Sequence, residues 1–256
     1  LAVLVVLLIA LKVCEIDFAD MKNKVDSSNI SSSVDNNTYP YSVEVRKDAD
    51  MQLVNGKLYA LTDTSVVSID PSSGNTGYKF DHGYASPVLK SNGNYTCLFD
   101  RGGTRFRLDT NYENLYEKTL DRNLITAVVA KNGTIVYSVF CDDAKSKIVV
   151  IDKKELKKLE YEVNDGYVTS LAVNSNASKI AFTSVNSKDA FLSSTAHILN
   201  VSNQEMIFEK EFKKTDILDL HFTNANNLYI VGSDFLSLVK SCKNAEYIFK
   251  QGSIST

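Results

Sequence analysis

Three histidines, four cysteines and one glycine-rich turn are the parts of this 256-residue chain whose types could do chemistry. His82, His197 and His221 show no His-x-x-x-His or His-x-His spacing and have no acidic partner cluster, so they supply no zinc site. Cys14, Cys97, Cys141 and Cys242 contain no Cys-x-x-Cys, which removes the metal and thioredoxin-like readings. Asp142-Asp143 lacks the alternating ligands of a calcium loop. No nucleophile elbow, phosphate-binding loop or dinucleotide fingerprint occurs. Two constellations remain. Asp219-Leu220-His221 alternates so that a carboxylate and an imidazole share one side of a strand. Together with Asp100 they are the groups a carbohydrate hydrolase or lyase would need to converge on a channel. The turn Asp100-Arg101-Gly102-Gly103 could present Arg101 to an anion, and with His82 it forms the candidate binding set. The alternative for that turn is a hairpin whose two glycines supply positive φ. No catalytic residue, cofactor or metal is expected.

These residues must be positioned by strands. From Tyr39 onward short apolar and polar runs alternate between Asn, Gly, Asp and Ser, and no helical stripe of useful length appears. Lys153–Lys158 is too short for a helix and reads as a turn. Five segments repeat one order, an apolar strand, an Asn-centred turn and a more apolar strand: QLVNGKLYAL, VLKSNGNYTCLF, VVAKNGTIVYSVF, LAVNSNASKIAFTS and LHFTNANNLYIVGS. Their turns, at Asn55, Asn92, Asn132, Asn176 and Asn226, are 37, 40, 44 and 50 residues apart. Asn and Gly sit there because tight hairpins need positive φ. Each unit continues through a third strand and a more polar fourth. The fourth unit has a longer loop, Val185–Ser194, between its second and third strands.

Four antiparallel strands per unit of about 40 residues is the β-propeller blade. The expected fold is therefore all-β, a β-propeller of four-stranded blades with five visible, preceded by an N-terminal hydrophobic helix. The inner strands are expected to be the most apolar, as Ala127–Ala130 and Leu171–Val173 suggest. On the same pattern Cys97 and Cys141 occupy matching places in neighbouring units, either bridged or buried as free thiols. A ring of such blades commonly needs about six to eight, although five can close. Truncation of the ring by one or two blades is expected, with Tyr41–Lys47 as the outer strand that completes the last one.

The start of the chain is different in kind. Leu1–Val13, LAVLVVLLIALKV, is almost purely aliphatic, yet as a helix it spans about 20 Å. A bilayer core is about 30 Å thick. The run reads as part of a transmembrane anchor, with a signal-peptide core as the alternative. Cys14 raises lipid attachment, which Lys12 and Val13 disfavour. Lys22–Asn37 is polar and aperiodic, as a flexible stalk would be. The organisation expected is thus residues 1–14 as anchor or signal segment, 15–38 as a polar linker and 39–256 as the propeller. With 28 basic against 31 acidic side chains, no excess of positive charge exists to neutralise a phosphate backbone, and no nucleic-acid partner is expected.

The most specific text is Phe80–Asn111, with His82-Gly83-Tyr84 and Ser86-Pro87 ahead of a strand and Asp100-Arg101-Gly102-Gly103 after the next. This stretch resembles an uncharacterised bacterial family, domain-of-unknown-function family 5711, found as membrane-anchored propellers. The resemblance runs over about Tyr39–Phe249, and the hydrophobic segment ahead of it also matches. It implies a propeller outside the cytoplasm and brings no known activity or catalytic residue. The expectation is a non-enzymatic, single-pass membrane protein with an extracytoplasmic body. It would be a monomer, binding or scaffolding an unidentified protein or glycan through loops on one face. The competing expectation is the hydrolase or lyase named above.

Overall fold

A strand that is buried on both sides can be apolar at consecutive positions, whereas one with a wet side must alternate. The repeats of this chain contain both kinds, and that difference organises the fold. The computed structural model describes residues 49–110, 113–188, 191–240 and 244–250. The chain divides into Leu1–Tyr41 and Ser42–Thr256, and the first unit lies outside the described residues. Leu1–Val13, the linker and Tyr41–Lys47 therefore fall outside them as well. Among the described residues there are twenty strands, no helix, and so no helix long and apolar enough to cross a membrane.

The strands form five antiparallel four-stranded sheets, each a simple meander. Blade 1 holds β1 (Asp50–Val54), β2 (Lys57–Leu61), β3 (Ser65–Ile69) and β4 (Thr76–Asp81). Blade 2 holds β5 (Pro87–Asn92), β6 (Tyr95–Asp100), β7 (Arg105–Thr110) and β8 (Asn114–Thr119). Blade 3 runs through β9 (Leu124–Val129), β10 (Ile135–Phe140), β11 (Ser146–Ile151) and β12 (Lys157–Val163). Blade 4 has β13 (Tyr167–Val173), β14 (Lys179–Lys188), β15 (Phe191–Asn200) and β16 (Met206–Lys213). Blade 5 has β17 (Ile217–Phe222), β18 (Leu228–Gly232), β19 (Phe235–Lys240) and β20 (Asn244–Lys250). The first strands are the inner ones: β1 packs beside β5, β5 beside β9, β9 beside β13 and β13 beside β17. Among the described residues no contact of that extent joins β17 to β1.

Among the described residues each of the four hydrophobic clusters lies between two consecutive blades. Blade 3 shows how. Ile135, Tyr137, Val139, Val149 and Ile151 point to blade 2, while Val136, Ile148 and Val150 point to blade 4. The period-2 alternation of a strand distributes one run of apolar residues over two interfaces. The outer strands β4 and β8 are largely exposed, and β12 and β16 alternate Lys and Glu with their buried residues.

Two expectations are corrected by this arrangement. The inner strands are not the most buried. In blades 2 and 3 the two middle strands are, because they have a sheet neighbour on either side and a blade against either face. The loop expected at Val185–Ser194 is an extension of the β14–β15 hairpin, with Val185 opposite Ser194 and Lys188 opposite Phe191. Its Asn, Ser and Lys residues look like loop because it projects beyond β13, where few positions need to be apolar.

Polar links join the blades where no ladder can. Gln52 on β1 donates to the Leu89 carbonyl at 2.7 Å and accepts from Ser91 at 3.3 Å. At the tips of the first hairpins, Asn55 donates to Asn94 (2.7 Å), Asn132 to the Asn176 carbonyl (3.2 Å) and Asn174 to Asn226 (2.9 Å). The turn asparagines thus both permit the hairpin and tie it to the next.

If blade-to-blade packing carries the stability, Leu108→Ala at the interface of blades 2 and 3 should cost about 2–5 kcal/mol in urea unfolding. Leu115→Ala on exposed β8 should cost about 0.5 kcal/mol or less.

Candidate functional site

The expected binding set lies where blade 1 hands over to blade 2. His82 follows β4 and is buried. Its Nδ1 accepts the Tyr84 N–H at 3.0 Å, so the proton sits on Nε2, which donates to the Thr62 carbonyl at 3.1 Å. Asp100 ends β6, also buried, and its Oδ1 accepts the Ser86 N–H at 2.8 Å. Its other oxygen leaves no room at Gly103, where a Cβ would stand 2.2 Å from Oδ2. The turn is held on the far side too: Gly102 N–H donates to the Leu124 carbonyl (2.8 Å), and Leu124 N–H to that of Gly103 (2.7 Å). The structure therefore brings His82 and Asp100 to neighbouring turns, with their polar atoms directed at backbone. Of Arg101, which is exposed, only the backbone N–H is bonded among the described residues, to Ser86 at 2.9 Å.

Sequence reasoning missed the strongest electrostatic feature nearby. Arg107 and Asp109 on β7 are both buried and form a bidentate pair, with Nη2 to Oδ1 at 2.6 Å and Nε to Oδ2 at 2.8 Å. Arg107 also donates to the Tyr78 hydroxyl at 3.0 Å and lies 3.7 Å over the Phe80 ring, both on β4 of blade 1. Asn114 donates to Asp109 at 2.9 Å. Burial is the largest single influence and pulls the guanidinium down, but hydrogen bonding to Asp109 together with the charges of Asp109 and Glu117 and the Tyr78 side chain outweighs it and holds Arg107 above its usual range. Alongside, Arg105 donates to the Gly83 carbonyl (2.9 Å) beside the Tyr84 ring, and Tyr84 donates to Glu117 (3.2 Å). In RFRLDT the charges alternate with apolar residues, which reads as a wet strand face. Only the docking of β4 makes that face an interior.

A second array sits between blades 3 and 4. His197 on β15 is stacked on Phe182, centroids 4.5 Å apart, and its Nε2 lies 2.8 Å from the Ser184 hydroxyl. Nδ1 faces a Glu209 carboxylate oxygen at 3.4 Å without the alignment of a hydrogen bond. Serine, imidazole and carboxylate are thus in the order of an acyl-transfer relay. Ser184, however, is only 4% exposed and its hydroxyl is turned into the interface. Burial pushes His197 below its ordinary value, and Glu209 and Asp165 oppose that shift.

The remaining candidates are dispersed. Asp219 and His221 are both exposed on β17, either side of buried Leu220, and no hydrogen bond joins them among the described residues. Asp100 lies three blades away in sequence order. Cys97 and Cys141 are free thiols, and they do not occupy matching places: Cys97 is inside β6, whereas Cys141 follows the end of β10. Burial pushes the Cys97 thiol up, which keeps it protonated. Among the described residues no group of His, Cys, Asp and Glu could hold a metal ion.

One end of the blades carries something else. Phe140 ends β10 and Tyr167, 46% exposed, begins β13; their rings meet edge-on at 5.9 Å, with Lys145 5.7 Å from the Tyr167 ring. Leu192 on the projecting hairpin and Leu218 at the start of β17 are exposed at the same end of blades 4 and 5. The exposed ion pair Arg122–Asp142, 2.5 Å, borders this set.

Comparison with known proteins agrees with the fold. The chain belongs to the family of unknown function DUF5711, whose model matches residues 36–254. No curated protein matches it. Among solved structures it is similar to the complex of KlAtg21 with the coiled-coil of AgAtg16, at TM-score 0.62 and 12% identity over 75% of this chain and 67% of that one. It is similar to the β-propeller domain of Myceliophteria thermophila Cps50 (Swd1), at 0.62 and 11% identity over 81% and 73%. It is also similar to Kuenenia stuttgartiensis hydrazine synthase, at 0.57 and 8% identity over 83% and 70%. At such identities the likeness shows a β-propeller fold and nothing of activity.

Two measurements check this electrostatic account. Arg107→Met, which strands Asp109, should cost about 3–5 kcal/mol in urea unfolding, and adding Asp109→Leu should restore most of it. Because His197 resists protonation when folded, the unfolded chain binds the extra proton as pH falls below about 6.5. Stability should therefore decline from pH 7 toward 5, and His197→Gln should flatten that decline.

Proposed function

We propose that this DUF5711 propeller is a non-enzymatic binding module that grips a protein partner with the loop end of blades 3 to 5. The carrying observation is the exposed set Phe140, Tyr167, Leu192 and Leu218 at that end. Large apolar side chains gathered beside charged residues are what a partner's surface would bury. Two features support loops over other routes. The polar atoms of His82, Asp100, Arg107 and Asp109 bond to backbone, to one another or to Tyr78 and Asn114, which leaves little for chemistry. The outer strands β12 and β16 present Lys and Glu, as in the network of Glu160 and Lys157 on β12 with Lys147 on adjacent β11, and charged edges discourage an added strand. Lys157 and Lys147 hold Glu160 down at about 2, so that network stays charged at any physiological pH. The KlAtg21 neighbour, a likeness of fold, is seen in complex with a coiled coil, so a helical partner is one this architecture accommodates.

The module is, in this reading, tethered through the apolar run Leu1–Val13 and displayed outside the cytoplasmic membrane. The support is the aliphatic run followed by a polar stretch.

Cross-linking and pull-down from solubilised membranes should recover a partner with wild-type protein. Tyr167→Ser combined with Leu218→Ser should weaken that capture about tenfold or more while leaving the fold intact. Equal capture by the double variant would overturn the loop-end assignment. Carbonate extraction tests the tether: the protein should stay with the membrane, and its release would remove the anchor. External protease should digest the body in intact cells, and full protection there would place it inside.

A further inference from the structure

We propose that Asn55 is a site of spontaneous deamidation, and that its iso-aspartyl product unlatches blade 1 from blade 2. Three Asn-Gly pairs close first hairpins in this chain, Asn55-Gly56, Asn92-Gly93 and Asn132-Gly133. In all three the following residue has no Cβ to keep its amide nitrogen from the Asn side chain. Their surroundings differ in a way the sequence does not show. At Gly133 a Cβ would stand 2.9 Å from Tyr95 and 3.2 Å from Lys153, and Asn132 is itself held, its Oδ1 accepting the Thr134 N–H at 3.0 Å and its Nδ2 donating to Asn176. At Gly93 a Cβ would stand 3.0 Å from Lys131. At Gly56 nothing lies within 4 Å, and both Asn55 and Gly56 are exposed. The only side-chain bond of Asn55 in view is the one to Asn94, 2.7 Å.

The reaction needs only water. The Gly56 amide nitrogen gives up its proton and bonds to Asn55 Cγ, the Cγ–Nδ2 bond breaks, and ammonia leaves with that proton. Water then opens the five-membered imide at either carbonyl, giving aspartate or its iso form. The turn has to rotate for the nitrogen to reach Cγ, and the open space at Gly56 is what permits it, where the packed turns at Gly93 and Gly133 resist. Thermally labile Asn is a general liability of proteins, and here one site is singled out by packing.

The two products differ in consequence. An ordinary aspartate at 55 keeps the hairpin, in which Asn55 and Gly56 both have positive φ (47° and 77°). The latch then survives because Asn94 turns its amide to offer Nδ2 to the new carboxylate. The iso product adds a methylene to the main chain. A two-residue turn between paired Val54 and Lys57 cannot absorb it without loss of register, and the side chain at 55 is withdrawn from Asn94.

The test is to age the purified protein in mildly alkaline buffer and follow all three Asn-Gly peptides by mapping that separates aspartyl from iso-aspartyl forms. Loss of the Asn55 amide ahead of the Asn92 and Asn132 amides is expected, with the iso form accumulating. The aged protein should melt a few degrees lower, whereas Asn55→Asp should melt as wild type does. Conversion of Asn92 or Asn132 as fast as Asn55 would overturn the site assignment. An Asn55→Asp protein that melts as low as the aged one would overturn the claim that the iso product does the unlatching.

Discussion

A four-stranded meander has two faces and can cover neither by itself. Everything else in this protein follows from that constraint. Among the described residues the four hydrophobic clusters all lie between blades, and none lies within one. A single blade is therefore not a stable object, and the fold is held by a succession of interfaces, each of which lends stability to the next. It also explains why the middle strands of blades 1 to 3 are more buried than the first strands, since they are enclosed by sheet neighbours in both directions.

The same constraint accounts for the polar features. A charge that would be solvated on an isolated sheet becomes interior once the next blade docks, and it must then be matched. Arg107 and Asp109 meet that requirement with a bidentate pair capped by Tyr78, Phe80 and Asn114. His197 meets it less completely, with one nitrogen on Ser184 and the other facing Glu209 without alignment. Both groups resemble functional chemistry when taken alone. Their burial between blades makes them elements of the packing, and the proposed binding surface rests instead on the exposed apolar residues at the loop end.

Much of the architecture was readable from residue order. Asn-centred turns at a drifting 37–50-residue spacing mark hairpins, and in every blade the first and second strands pair across them. The Val185–Ser194 extension was unreadable because a projecting hairpin need not carry apolar residues. Of the site, the glycine-rich turn and His82 were visible as unusual text, but not the direction of their hydrogen bonds. The Phe140–Tyr167 pair was invisible: the two residues are far apart in the chain and each looks like ordinary strand.

The sequence by itself determined the unit, four strands with a turn that tolerates positive φ, and the number of such units in view. Those are local properties, set by period-2 patterning and by the backbone preferences of Asn and Gly. Tertiary structure alone decided which alternating residues are wet and which are buried, since that depends on a blade the strand does not belong to. It turned Arg107 and Asp109 inward, directed the atoms of His82 and Asp100 to backbone, and left Tyr167 and Leu218 exposed. Burial is a property of neighbours, and in a repeat protein the deciding neighbours lie about 40 residues away.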